Sequence, residues 1–257
     1  MGSNEMTYII AEAGTGHFTG YPNQPFNGDG LRFAGGPITR SQNVMRFIDA
    51  AFIAGADAVK FQMFVPDEPL FCPLPDDERR MERWRETHLT LEDWRRAQDY
   101  AKERHIELLW SAFQPTCIEW LKELKPRYVK VASRAKETFP FWQGSKFLIS
   151  ENRREASPFG PVTTNYDHFY LHCVSKYPAP LAECRYVDDE DHGLSDHSGT
   201  IWPGLDVIYH GANFLEVHFK IPGADMGPDE PVCLTVEQLK LLCEARDAYS
   251  KMHPTSI

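Results

Sequence analysis

The sequence predicts an α/β fold, a (β/α)8 or TIM barrel in which some crossover helices are shortened or irregular. Three observations predict it. Short apolar runs recur along the chain, and several are followed by apolar residues at helical spacing. The length of 257 residues matches one such barrel and leaves no room for a large second domain. We therefore expect residues 1–257 to form a single barrel domain.

The first four predicted strands cover residues 8–12, 58–62, 107–111 and 128–131. A helix from Ser41, its expected cap, to Gly55 joins the first two strands, because its apolar residues recur at helical spacing. A second helix begins at Thr90 and precedes the third strand. The stretches 14–39 and 66–88 are rich in glycine, proline or charge, so we expect long loops there.

The last four predicted strands cover residues 147–150, 169–174, 193–196 and 214–219. A helix near 118–124 follows the third strand, and a capping box at Thr235 and Gln238 opens the final amphipathic helix. Segments 133–147 and 150–169 are too short or too rich in proline for full crossover helices. The barrel is therefore expected to be degenerate on that side.

The composition argues against several classes of protein. A net charge of −10 does not suit a nucleic-acid surface, which calls for a basic face. No apolar run approaches the roughly 20 residues that cross a membrane, and the first residues do not resemble a signal peptide. Six scattered cysteines with no CxxC pair indicate reduced, buried thiols. We expect a cytoplasmic enzyme that binds neither nucleic acid nor membrane.

Polar residues stand at or near the ends of most predicted strands, where barrels of this class place their active sites. An inward lysine is costly unless it meets an anion, so Lys60 and Lys130, with the hydroxyl groups around them, predict a phosphate or carboxylate site. The polar residues at strand ends are Glu12, Lys60, Gln62, Ser111, Lys130, Ser133, Ser150, Ser175, Tyr177, Ser195, Asp196, His197, Glu216, His218 and Lys220.

Two histidines, His197 and His218, end successive strands and could together hold a divalent metal with open positions for water and substrate. A histidine beside an apolar run is more often structural, so spacing alone leaves both interpretations open. Glu12 could equally form a salt bridge inside the barrel, Asp229 could be a turn residue, and His17 could bond backbone in its loop. The residues by themselves therefore predict an anion-binding barrel in which metal binding is undecided.

A series of segments in order along the chain carries a more specific pattern. They are 9–17, 54–62, 128–133, 171–180, 193–199, 216–219 and 227–229. The first contains Glu12 and His17 where the pattern has AE-G-NH-G, and the fourth has the form of HCTS-YP-P. Together they resemble the barrel domain of the sialic acid synthase (N-acetylneuraminate synthase) family over nearly the whole chain. The resemblance implies a transferase that condenses phosphoenolpyruvate with an aldehyde sugar.

The resemblance also implies roles for individual residues. It implies a divalent metal, manganese or else magnesium or cobalt, held by His197 and His218. It implies that Glu12 and Asp229 are catalytic and face the metal, its water or the sugar. The implied substrate-binding residues are Lys60, Gln62, Lys130, Ser133, Ser150, Ser175, Tyr177 and Ser195.

Three departures from the family pattern concern the acceptor sugar. The glutamate that usually follows the fourth-strand serine is absent, and Arg134 stands beside its place, so we expect Arg134 to contact an acceptor carrying phosphate or carboxylate. Gly16 and Ala112 replace an asparagine and a threonine. The chain ends after the barrel, so the C-terminal antifreeze-like domain is expected to be missing, and a homodimer or a separate partner protein could complete the site.

Two other functions remain open at the level of sequence. One is a metal-dependent 2-keto acid aldolase or lyase that does not use phosphoenolpyruvate. The other is a sugar-phosphate-binding pseudoenzyme or partner subunit. The retention of both lysines and of the hydroxyl set argues against the first, and the altered acceptor side keeps the second open.

Overall fold

The computed structural model describes residues 6–18, 39–75, 77–152, 165–186 and 192–254. Within them, eight parallel strands close into one barrel in sequential order. This confirms the predicted (β/α)8 class, and the predicted strands differ from the observed ones only at their ends. The strands are β1 (Tyr8–Gly14), β2 (Ala58–Met63), β3 (Glu107–Ala112), β4 (Val129–Val131), β5 (Phe147–Glu151), β6 (His168–Cys173), β7 (Gly193–Asp196) and β8 (Phe214–His218).

Six α-helices lie in the described parts of the chain. They are α1 (Arg40–Ala54), α2 (Glu78–Thr87), α3 (Leu91–Glu103), α4 (Pro115–Leu124), α5 (Trp202–Tyr209) and α6 (Val236–Met252). Gly55 ends α1 in the left-handed conformation, and the predicted capping box opens α6. None of the helices in these residues is long and apolar enough to cross a membrane.

The predicted cap of α1 was wrong by two residues. Thr39, not Ser41, is the N-cap, because its hydroxyl accepts from the Gln42 amide while the Gln42 side chain accepts from the Thr39 amide. Ser41 lies inside the first turn and its hydroxyl contacts Asp93. The reciprocal bonds of Thr39 and Gln42 satisfy two of the free N–H groups at the helix start, which a cap at Ser41 would leave open.

The predicted loop 66–88 was also wrong, because it contains α2. The helix consists mostly of strong helix-forming residues, but its only apolar positions are Met81 and Trp84, and this short apolar stripe does not mark a helix in the sequence. Its stability comes from tertiary contact: the Trp84 ring stacks on Phe64 with centroids 4.4 Å apart. In the other predicted loop, 14–39, residues 19–38 lie outside the described residues.

The side of the barrel with irregular crossovers matches the prediction where the structure describes it. Between β4 and β5, the described residues contain only the short 3-10 helix Ser133–Ala135. Residues 153–164 of the second predicted segment lie outside the description. The β6–β7 connection, where described, likewise holds only the 3-10 helix Leu181–Glu183. In the described parts of these connections, the barrel wall therefore lacks a long crossover helix.

Inward side chains divide the barrel interior into layers along the strand axis. At the N-terminal end, four rings form a basal aromatic cluster in which Tyr8 and Tyr128 lie 5.5 Å apart and Tyr128 and Phe214 lie 5.3 Å apart; Phe169 completes it. Aliphatic side chains continue this packing, among them Ile10, Ala58, Leu109, Leu148 and Leu171. Two residues further along each of several strands the inward side chain becomes polar, because side chains alternate with period two.

A glycine on β7 allows this strand to lie close to the backbone of β8. A Cβ at Gly193 would lie 2.1 Å from the Phe214 carbonyl oxygen, and a backbone oxygen cannot move aside as a side chain can. We expect Gly193→Ala to lower the free energy of unfolding by about 2–3 kcal/mol, measured by urea unfolding. The control is Gly211→Ala, where the new methyl group meets open space and only the positive φ of 69° opposes it. Equal stability of the two variants would contradict the prediction.

Candidate active site at the barrel mouth

Two lysines and two glutamates form a buried charge network directly above the aliphatic layer. All four residues are at most 3% exposed. Lys60 Nζ lies 2.6 Å from Glu12 Oε2 and 3.9 Å from Glu216 Oε2, and Lys130 Nζ lies 3.5 Å from Glu216 Oε1. Glu216 therefore sits between the two ammonium groups, and the formal charges of the network balance. The salt bridge that we considered for Glu12 is present.

Three hydroxyl groups complete this layer. Lys60 Nζ donates to Ser111 Oγ over 2.9 Å, and Lys130 Nζ donates to Ser150 Oγ over 2.7 Å. Ser195 Oγ donates to Glu216 Oε1 over 2.8 Å. Lys60, Lys130 and Glu216 are thus each held by a hydroxyl as well as by an opposite charge, whereas Glu12 is held by Lys60 alone. The convergence predicted for the two lysines and the hydroxyl set is present.

The network shifts the pKa values of its two carboxyl groups in opposite directions. Burial raises the pKa of Glu12, even though Lys60 opposes this change. Burial would also raise the pKa of Glu216, but Lys130 and Lys60 outweigh it and hold that pKa well below its usual value. Glu216 therefore stays ionised, and Glu12 is the carboxyl that can carry a proton.

Burial also governs the pKa values of the lysines. It lowers the pKa of Lys130, which Glu216 only partly offsets, whereas Glu12 and Glu216 together raise the pKa of Lys60 despite its burial. Lys60 is therefore a fixed cation of the site. Lys130 is the one that most needs a further negative charge nearby, because an ammonium group in a dry interior is stable only beside an anion.

His197 and His218 lie together at the mouth, with ring centroids 5.3 Å apart. His197 Nδ1 lies 2.8 Å from the Val174 carbonyl oxygen, and the Tyr177 ring stacks on the imidazole at 4.3 Å with its hydroxyl 3.1 Å from Nε2. His218 Nδ1 is buried without a hydrogen-bond partner and lies 3.9 Å from Asp229 Oδ2. The two strand ends thus bring a pair of imidazoles and a carboxylate to one place.

Metal binding by this pair stays a prediction, and the protonation of the two imidazoles bears on it. Burial and the neighbouring His197 hold the pKa of His218 well below its usual value, so its imidazole is neutral, and its unpartnered Nδ1 is a vacant ligand atom. Burial also lowers the pKa of His197, but the Cys173 sulfur and the Val174 carbonyl raise it to about 9, so metal binding there would release a proton. Among the described residues no group of three or more His, Cys, Asp or Glu side chains is arranged to hold a metal, so further ligands would be water or substrate.

A glycine at the end of β1 lets three predicted site residues converge. A Cβ at Gly14 would lie 2.9 Å from Asp229 Oδ2, 3.6 Å from Glu12 Oε1 and 3.8 Å from Gln62 Nε2. The positive φ of 53° at this position favours glycine as well. The 3-10 helix Gly227–Val232 carries the Asp229 carboxylate to the mouth beside Glu12, and a catalytic role for Asp229 stays a prediction.

Ser133 and Ser175 lie on the opposite rim, where Ser175 Oγ donates to Ser133 Oγ over 3.1 Å. Next to them, the guanidinium of Arg134 already binds the Asp77 carboxylate with two hydrogen bonds of 2.9 and 2.5 Å, and it also donates to the Cys72 carbonyl. Contact of Arg134 with an anionic acceptor stays a prediction, and it would compete with this ion pair. His17 takes the structural alternative, because its ring contacts the Thr87 carbonyl at 2.8 Å.

Sequence reasoning assigned no role to Glu216, although it noted the residue among the strand-end polar groups. The signal was available: Glu216 precedes His218 by two residues on one strand, so their side chains point to the same face. It also missed Arg83 on α2, because the surrounding segment was expected to be a loop.

Known proteins match this chain over most of its length. The NeuB family matches residues 47–145 and 155–256. The N,N'-diacetyllegionaminic acid synthase of Legionella pneumophila is 28% identical over 282 residues, which covers 96% of this chain and 73% of the relative. The corresponding synthase of Campylobacter jejuni is 26% identical over 268 residues, with 92% and 74% covered.

A solved structure shows the same fold. The crystal structure of N-acetylneuraminic acid synthetase from Leptospira borgpetersenii, in complex with citrate, superposes with a TM-score of 0.70 at 20% identity and covers 100% of this chain and 88% of that one. The family match spans well over half of the sequence, in two segments that contain every strand except β1 and β5. The chain belongs to the NeuB family of acid-sugar synthases.

Proposed function

We propose that this chain condenses phosphoenolpyruvate with an aldehyde sugar to give a 3-deoxy-2-ulosonic acid and phosphate. A bond forms between C3 of phosphoenolpyruvate and the aldehyde carbon, water adds at C2, and the C2–O bond to phosphate breaks. The observation that carries the proposal is the pair of buried, hydroxyl-bound lysines directly beneath two histidines at the barrel mouth. Family membership supports the same reaction class.

The lysine layer is the proposed site of phosphoenolpyruvate. Lys60 and Lys130 supply two buried positive charges, and Ser150 and Ser195 supply directed hydrogen bonds, which together suit a phosphate and a carboxylate. Without substrate, Glu12 and Glu216 balance the lysines, so the site is ordered before the anion arrives. We propose Glu12, the carboxyl with the raised pKa, as the group that takes the proton from the attacking water.

The histidine layer is the proposed place of the metal and of the sugar aldehyde. His197 and His218 would hold a divalent cation, manganese or else magnesium or cobalt, which would act as a Lewis acid on the aldehyde oxygen. Tyr177 stacks on His197 and fixes the plane of its ring. Asp229, Gln62 and Glu12 converge around Gly14, where Asp229 and Gln62 can hydrogen-bond hydroxyl groups of the sugar.

The identity of the acceptor is the finer part of the proposal. Relatives carry the names of legionaminic and pseudaminic acid synthases, so one family accommodates different acid sugars. The segment after β4 holds Arg134 and Lys136, and both cations are paired, with Asp77 and Glu151 respectively. We propose an aldehyde sugar whose contacts on this side are made by Ser133 and other neutral groups, with a second copy or a partner protein as a possible contributor.

The test is turnover by the purified chain. Phosphoenolpyruvate and Mn²⁺ are supplied with N-acetylmannosamine, other N-acetylated hexosamines, and anionic and shorter aldehydes. Phosphate release is followed together with the mass of the keto-acid product, and Lys130→Met controls for contaminating phosphatase. Product formation with one of these aldehydes supports the proposal. Phosphoenolpyruvate binding without turnover on the whole panel would favour a binding protein, and cleavage of a 2-keto acid without phosphoenolpyruvate would favour a lyase.

A further inference from the structure

One arginine of α2 joins the loops that follow the first and last strands. Arg83 Nε donates to Thr15 Oγ1 over 2.7 Å, and Nη2 donates to the Thr15 carbonyl over 3.1 Å. On the other side, Nη1 binds Asp225 Oδ1 at 3.0 Å and Nη2 also donates to the Asp225 carbonyl. The side chain is 13% exposed and stacks on the Phe18 ring at 4.5 Å. All three guanidinium nitrogens are therefore used to connect two loops that are far apart in sequence.

Both connected loops lead directly to the carboxylate of Asp229. Thr15 follows Gly14, whose Cα faces Asp229 Oδ2 so closely that a methyl group would lie 2.9 Å from it. Asp225 accepts from the Gly227 amide over 2.7 Å, and Gly227 begins the 3-10 helix that carries Asp229. The loop also closes tightly around the guanidinium, because a Cβ at Gly227 would lie 2.8 Å from Arg83 Cζ.

We infer that Arg83 is a positioning residue that holds the Asp229 carboxylate against His218 and Glu12. The inference rests on the proposed function in one respect, since it takes Asp229 as a member of the active site. It adds to the proposed function a residue of α2 that acts on the active site indirectly. The hydrogen bonds of Arg83 go to Thr15 and Asp225, and not to the lysine layer or the two histidines. The planar fork of an arginine suits this task because it can bond two partners at fixed angles, whereas a lysine offers one point charge.

A second arginine of α2, Arg85, supplies a control for Arg83 because its contact is exposed. Arg85 pairs with Asp67, and both side chains are at least half exposed, so this pair contributes little to stability. Arg83 and Arg85 lie on the same helix with the same charge. Substitutions of the two therefore separate the loss of the clamp from the loss of a positive charge on α2.

The experiment compares Arg83→Met, Arg83→Lys, Gly227→Ala and the control Arg85→Met. Hydrogen–deuterium exchange is measured in residues 225–232 of the full chain, and steady-state turnover is measured with the acceptor found in the assay above. We expect faster exchange in this segment for the first three variants, because each breaks or displaces the clamp. We expect kcat to fall roughly 10- to 100-fold in Arg83→Met, with the KM for phosphoenolpyruvate changed less than about threefold.

A coupling measurement distinguishes positioning from general stability. In an Asp229→Asn background, Arg83→Met should reduce kcat by less than about twofold further, because the carboxylate that it positions is gone. Full additivity of the two changes, or exchange in 225–232 no faster than in Arg85→Met, would overturn the inference. If the wild-type chain turns over no aldehyde, the proposed function fails, and the exchange comparison alone decides whether Arg83 holds this loop.

Discussion

Lys60→Met is expected to lower the free energy of unfolding by about 3–5 kcal/mol, because it removes one partner of a fully buried ion pair. Glu12, 2.6 Å from the ammonium group, and Glu216, 3.9 Å from it, would then face each other with less compensation. The measurement is equilibrium unfolding in urea. Lys102→Met is the matched control, since Lys102 pairs with Asp99 on the exposed face of α3 and such pairs contribute well under about 1 kcal/mol.

A second variant separates stability from substrate binding. Lys60→Met combined with Glu12→Gln removes the carboxylate that the single change leaves unpaired, so much of the lost stability should return. Binding of phosphoenolpyruvate, measured by calorimetry, should stay about 1.5–3 kcal/mol weaker in both variants, the range for a hydrogen bond that involves a charged group. A single variant as stable as Lys102→Met would refute the ion-pair argument, and unchanged phosphoenolpyruvate affinity would refute the anion site.

His197→Ala and His218→Ala should each abolish metal binding and lower turnover by roughly 1,000-fold, because the loss of Lewis-acid stabilisation amounts to several kcal/mol. A site with two protein ligands retains no chelate after one is removed. Metal content after equilibration with Mn²⁺ is measured by elemental analysis. Wild-type protein stripped with a chelator should lose activity and regain it when the ion is returned.

The control for the histidine variants is His210→Ala. His210 follows α5 on the surface, where its ring contacts the Asp206 carbonyl. It should keep the metal content and the turnover of the wild type. Unchanged metal content in both His197→Ala and His218→Ala would show that the imidazole pair is structural.

The strand ends of the barrel could be predicted because parallel strands carry their polar residues to one edge. Knowing the order of the strands was enough to bring Lys60, Lys130, His197 and His218 to the same mouth. The same reasoning could not decide between a salt bridge and a catalytic role for Glu12. In the structure one carboxylate oxygen of Glu12, Oε2, pairs with Lys60, while the other, Oε1, lies near Gly14. The salt bridge therefore does not exclude a catalytic role.

The features that could not be predicted depend on contacts between residues that are far apart in sequence. Glu216 lies between the lysines of β2 and β4 because both side chains lean toward β8, and no spacing in the sequence encodes that direction. The apolar stripe of α2 consists of Met81 and Trp84 alone, so its packing becomes visible only in tertiary contacts such as that of Trp84 with Phe64. The Arg83 clamp joins residues 68 and 142 positions away, a link that local pattern cannot supply.

The basal aromatic cluster has a consequence for the order in which substrates bind at the barrel mouth. Tyr8, Tyr128, Phe169 and Phe214 pack mainly edge to face and fill the floor of the barrel, so ligands enter and leave through the mouth. The lysine layer lies two residues, or about 7 Å, deeper than His218 along β8. For the proposed substrates, this difference in depth implies an order of binding. Phosphoenolpyruvate must bind first, because the aldehyde sugar, bound nearer the mouth, would cover its site.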